Sequence, residues 1–273
     1  RYEINPEYAD DVDQWDKDGR NSNRTFILGR TGDALQSLGA RENDIYMKAD
    51  KINTILKEHP EMTLEEIKRI PEILDDPVMI LTSQNKGRTK QNTRLVMFGD
   101  VKAQDGRPVL CVLDLRPVEN HIVISDMQKV TSAYTKDVNP VEFVRKSDVL
   151  YVDEKKERTT ELFRTLGFKI PSELQLSGSI GRITYGNQDV KLSGVKFTEL
   201  VNIAKTKIEP SGGTHVESED SRSRLPDGSK ESIAQEAAEN KENDGTLKKN
   251  IRYQLSEADE LTKLRDEQQR LDE

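Results

Sequence analysis

His59 is the side chain in this sequence best suited to moving a proton. It stands in Lys57-Glu58-His59-Pro60, and an unperturbed imidazole titrates at about 6.5, which suits both acid and base work near neutrality. Cleavage of RNA without a metal needs a base for the 2′-hydroxyl, an acid for the leaving 5′-oxygen, and donors for the charged phosphorane. Cations for the phosphate are available in Lys57, in Arg88 within Lys86-Gly87-Arg88-Thr89-Lys90, and in Arg94. Hydroxyls are available in Ser132 and Tyr134, which strand alternation puts on one face, with Thr131, Ala133 and Thr135 on the other. Each group also has a plainer role. His59 can cap its helix or pack on the core, the basic run can be a solvated hairpin loop, and the hydroxyls can be ordinary sheet residues.

Other chemistries are excluded or thinly supported. His121 and His215 have no second histidine near them in sequence, and Cys111 is the only cysteine, so neither a zinc site nor a disulfide framework is expected. Ser177-Gly178-Ser179-Ile180-Gly181 lacks the lysine and the preceding strand of a phosphate-binding loop. No Gly-x-Ser-x-Gly turn is present. No metal or other cofactor is implied.

The elements that must position these groups follow from periodicity. Residues 1–30 are polar and read as a surface loop anchored by Trp15; Thr31–Gly39 reads as a short helix stopped by glycine. Ile45-Tyr46-Met47 is expected as an edge strand. Asp50 then caps a helix with the apolar stripe Ile52, Ile55 and Leu56, which Pro60 ends. His59 falls on that stripe, and Thr63-Leu64-Glu65-Glu66 is a capping box for a second short helix. After the turn at Asp75-Asp76-Pro77 the period changes. Val78–Thr82, Arg94–Phe98, Val109–Leu115, His121–Ile124 and Val130–Tyr134 read as strands, with a hairpin at Asp105-Gly106-Arg107-Pro108 and the wholly apolar Val109–Leu113 at the centre. Helices are expected near Val141–Lys146 and at Thr160–Leu166, and a hairpin at Gly186-Asn187. Helices followed by consecutive strands predict an α+β fold: N-terminal helices packed on a small antiparallel sheet.

Composition sets the outer bounds. The chain has 273 residues, of which 33% are hydrophobic and 34% charged. Residues 1–200 carry 30 Lys and Arg against 33 Asp and Glu, whereas residues 201–273 carry 12 against 17. Nucleic-acid binding must therefore rest on a local patch rather than on a basic field. The expected organisation is an α+β domain over 1–205, a disordered polar linker over 206–250, and the start of a charged helix or coiled coil over 251–273, with Leu261, Leu264 and Leu271 on its apolar side. No apolar run reaches the ~18 residues of a membrane span. The first residue is Arg1, which reads as a segment cut from a longer chain, in the cytoplasm.

Asn5-Pro6-Glu7-Tyr8, Gly32-Asp33-Ala34-Leu35-Gln36, Asp44-Ile45-Tyr46, Lys57-Glu58-His59-Pro60, Ile70-Pro71-Glu72-Ile73-Leu74-Asp75-Asp76-Pro77 and Ser132-Ala133-Tyr134 form a set of motifs. Together they resemble the phage MuF C-terminal domain, found in head-morphogenesis proteins and in very long polyvalent proteins of phages and conjugative elements. The resemblance extends over about residues 1–200. Its helix and strand order is similar to the barnase, EndoU, colicin and RelE-like nuclease group. The resemblance implies a toxin-like, metal-independent endoribonuclease acting on RNA, tRNA included, with His59 as acid/base and Ser132 and Tyr134 as its late-strand hydroxyls. An immunity or host protein partner and virion-associated delivery into a bacterial cell are also implied. The alternative is a non-catalytic module that binds a host protein or nucleic acid.

Overall fold

Local sequence signals set most of the elements in the first half of the fold. The computed structural model describes residues 4–84, 93–169, 176, 178–186 and 189–206, which lie in the first of the two units into which the chain divides, Arg1–Gly212. The expected linker and C-terminal helix, and Arg88, lie outside the described residues.

Helix α1 (Tyr8–Lys17) is followed by strand β1 (Thr25–Arg30), helix α2 (Asp33–Ser37) and strand β2 (Asp44–Lys48). The loop expected over residues 1–30 is thus corrected to a helix and a strand. Tyr8, Val12 and Trp15 recur at helical spacing and bury together, while Asp10 and Asp11 sit in the first turn, where the helix dipole favours negative charge. Gly39 closes α2 with φ +97°, and the Ile183 carbonyl oxygen lies 2.6 Å from where a Cβ would stand, so only glycine fits.

Helix α3 (Ala49–Glu58) follows β2 directly. It starts two residues earlier than expected: Lys48, not Asp50, is its N-cap, no side chain caps it, and Asp50 lies in its first turn. Ile52 and Ile55 are buried, as the stripe requires, and His59 is the C-cap. Helices α4 (Leu64–Lys68) and α5 (Ile70–Asp75) come next. The capping box at Thr63 is present: Glu65 N donates to Thr63 Oγ1 at 3.2 Å, and Thr63 N donates to Glu66 Oε2 at 2.7 Å.

Strands β3 (Met79–Thr82), β4 (Arg94–Lys102) and β5 (Pro108–Asp114) lead into a small hairpin, β6 (Val118–Glu119) and β7 (Ile122–Val123), and then into β8 (Met127–Thr135). Helix α6 (Pro140–Lys146), strand β9 (Asp148–Val152) and helix α7 (Lys156–Thr165) follow. The chain then forms β10 (Gly178–Ser179), β11 (Arg182–Tyr185), β12 (Val190–Ser193), β13 (Val195–Lys196) and helix α8 (Phe197–Thr206).

Among the described residues the main sheet has nine strands, running β1-β2-β8-β5-β4-β3-β9-β10 with β13 also on β9. It is larger than expected and mixed, because β2 pairs with β8 in parallel. The strand expected at Ile45–Met47 is internal, with β1 outside it. The one expected at His121–Ile124 belongs to the separate β6–β7 hairpin. β5 is buried along its whole length because cores lie on both faces of the sheet. Leu95, Met97, Cys111 and Leu113 join the core under α1–α5, while Val96, Phe98, Leu110 and Val112 join the core containing Val144, Leu162, Phe163 and Phe197. The second core covers the β5-β4-β3-β9 side, leaving polar residues of β2 and β8 on the same face.

Candidate functional site

Strand register builds a row of polar side chains across that face. Arg94 of β4 lies opposite Asp114 of β5, Asp114 opposite Lys129 of β8, and Lys129 opposite Tyr46 of β2. Directly paired residues project to the same side of a sheet, so four strands present one continuous line. Arg94 Nε contacts Asp114 Oδ2 at 3.2 Å, and Thr93 Oγ1 donates to Asp114 Oδ1 at 2.7 Å.

The β6–β7 hairpin is fixed to this row by Glu119. Its carboxylate accepts from Tyr46 Oη at 3.0 Å, from Lys48 Nζ at 2.6 Å and from Lys129 Nζ at 2.6 Å. Burial pushes the Glu119 carboxyl up, but the hydrogen bonds from Lys129, Lys48 and Tyr46 outweigh it and hold the group down at about 2. Burial and the same carboxylate push the Tyr46 hydroxyl up. Glu119 is therefore a permanent anion that clamps the hairpin. A groove of about 740 Å³ opens between hairpin and sheet, lined by Lys51, Arg94, Asp114, Glu119, His121, Lys129 and Thr131 among others.

His59 lies elsewhere on the sheet. Its backbone N–H donates to the Ile55 carbonyl at 2.8 Å, ending α3, and its ring stacks on Tyr134 with centroids 5.0 Å apart and planes 15° apart. Nδ1 is 3.7 Å from Glu61 Oε1, and the same oxygen accepts from Thr135 Oγ1 at 3.1 Å. The His59 side chain is 28% exposed, which leaves it open to a solute. Burial pushes the Tyr134 hydroxyl up, so it keeps its proton and remains a donor.

A β-bulge decides which hydroxyls share this face. The β5–β8 register shifts between Val112 and Leu113: Val112 pairs with Ser132, whereas Leu113 pairs with Val130. Thr131 is the inserted residue and lines the groove, while Ser132 and Tyr134 lie opposite Val112 and Leu110 of the second core. Thr131, Ser132 and Tyr134 consequently share one face, where simple alternation had put Thr131 on the other.

The candidate residues thus fall into two groups. His59 stacks on Tyr134 near the end of β8, and Ser132 stands two residues before Tyr134 on the same face. Arg94 is in the groove, four residues along β4 and two strands across from Tyr134's position, which is about 16 Å at standard strand rise and spacing. Lys57 is exposed in the last turn of α3, where its charge complements the helix C-terminus. Lys51, Asp114, Glu119, Lys129 and Thr131 were not singled out by sequence. The available signals were the alternation of Tyr46 with Lys48 and of Lys129 with Thr131. Among the described residues, no three His, Cys, Asp or Glu side chains group to hold a metal ion, and no helix is long and apolar enough to cross a membrane.

The family model of the phage MuF C-terminal domain matches residues 51–159, from α3 into α7, which includes both groups of residues and supports the resemblance over less than half of the chain. The motifs at Asn5–Tyr8, Gly32–Gln36 and Asp44–Tyr46 lie outside the matched segment. No curated protein and no solved structure matches the chain.

Proposed function

We propose that this chain is a toxin-like effector module of a phage or mobile-element polyvalent protein and cleaves RNA without a metal. The observation that carries the reading is the His59 arrangement: an accessible imidazole stacked on Tyr134, with Glu61 near Nδ1. In this reading Glu61 orients the ring, and Nε2 takes the proton of a ribose 2′-hydroxyl. The 2′-oxygen bonds to phosphorus as the bond to the 5′-oxygen breaks. Tyr134, kept protonated by burial, supplies a proton to the departing oxygen, and Ser132 positions the phosphate. Arg94, Arg88 and Lys57 bind flanking phosphates. The run of α3–α5 followed by antiparallel β3, β4, β5 and β8 supports a barnase- and RelE-like arrangement.

A second reading, a non-catalytic module that binds a host protein or nucleic acid, draws on the separation of Arg94 from His59. The two are divided by incubating the full chain with total host RNA and with tRNA in EDTA, beside His59→Ala. Cleavage by the wild type alone supports the nuclease. A folded wild type that leaves both RNAs intact supports the binding module.

A further inference from the structure

The β6–β7 hairpin turns through Asn120 and His121, both with positive φ (48° and 67°). That is the backbone of a two-residue type I′ turn, in which glycine is the usual second residue because a Cβ there is strained. Histidine is one of the few non-glycine residues found at positive φ, and here the turn sets its side chain against the groove. His121 is on the lining of the groove with Lys51, Arg94, Lys129 and Thr131. The groove and its clamp carry four cations, Lys48, Lys51, Arg94 and Lys129, against two carboxylates, Asp114 and Glu119, so two positive charges are in surplus. Both carboxylates are already engaged by Arg94, Lys48 and Lys129. The side chains of Lys51 and His121 make no hydrogen bond or ion pair among the described residues.

We propose that this groove is a phosphate-binding subsite for a single-stranded RNA, contacted by Lys51, His121 and Arg94 and distinct from the His59–Tyr134 centre. The proposal rests on the RNA reading above and adds where the strand runs and how long it must be. Lys129, Thr131, Ser132 and Tyr134 share one face of β8 because of the bulge at Thr131, so β8 is a polar track from the groove to His59. The separation of about 16 Å corresponds to roughly five nucleotides at ~3.4 Å per stacked nucleotide. A strand of that length or more spans both places, and a stacked trinucleotide seated at the His59–Tyr134 centre stops short of the groove.

The test is binding of fluorescently labelled 2′-O-methyl RNA, which cannot be cleaved, as three-mer and ten-mer, to the full chain. Wild type is expected to bind the ten-mer at least tenfold more tightly than the three-mer. Lys51→Ala weakens ten-mer binding about fivefold and lowers the salt slope by about one, with the three-mer unchanged. His121→Gly, which relieves the turn, is expected to raise Tm and yet weaken ten-mer binding, an outcome that misfolding cannot produce. Wild-type affinity in both variants overturns the groove proposal and leaves the RNA reading in place. Loss of ten-mer binding in the variants, with no RNA cleavage by the wild type, keeps the groove and overturns the nuclease. No RNA binding and no cleavage by the wild type overturns both.

Discussion

Glu119→Gln tests the clamp that holds the β6–β7 hairpin over the groove. Glu119 is 22% exposed and accepts from Tyr46, Lys48 and Lys129. Its folded carboxyl titrates at about 2 against a reference of 4.5. That difference of about 2.5 corresponds to ~3 kcal/mol of stability at neutral pH. The sign follows from the depressed value. The contribution is fully present above the unfolded pKa and is lost as pH falls through the folded one. It is expected to decline to about 1.4 kcal/mol at pH 3 and below 0.5 kcal/mol at pH 2. The amide keeps the shape but loses the charge, leaving Lys48 and Lys129 without their anion. Urea unfolding of wild type and variant is expected to differ by ~2–3 kcal/mol at pH 7, with the gap narrowing steadily below pH 4. A gap below 0.5 kcal/mol at pH 7, or one that does not change between pH 7 and pH 3, would refute the clamp.

Three further outcomes are expected. Trp15→Ala removes a fully buried ring that packs edge-on against Phe26 and donates to the Asn21 carbonyl; urea unfolding should show a loss of about 3–5 kcal/mol, and a loss below 1 kcal/mol would contradict the packing described. Thr63→Ala opens the capping box of α4 at about 1 kcal/mol, and a double variant with Glu66→Ala should cost less than the sum of the two, since both belong to one motif; strict additivity would show that they act separately. Cys111 is wholly enclosed in β5 and its thiol is pushed up by burial, so a thiol reagent should label it only in denaturant; rapid labelling of the native chain would show that β5 opens.

How legible each part was depends on the range of the interactions that fix it. The stripe of α3, the box at Thr63, the stop at Gly39 and the strands β3, β4, β5 and β8 were readable because their causes lie within a few residues. α1 was missed because its acidic sequence hides an apolar face of only Tyr8, Val12 and Trp15. β1 and β9 were missed because no local signal marks them, and it is pairing with β2 and β3 that makes them strands. His59 and Tyr134 were legible as candidates, but their stacking was not, since 75 residues of chain separate the two rings.

The sequence by itself determined which residues could do chemistry and on which local elements they stand, because helix caps, turns and alternation are set by neighbours in the chain. Only the tertiary structure decided which of them meet. The parallel β2–β8 pairing and the bulge at Thr131 assemble Arg94, Asp114, Lys129 and Tyr46 into a row, with Glu119 and His121 above it. Strand order and register arise from burial of both faces of a long sheet, a property of the whole chain that no local window carries.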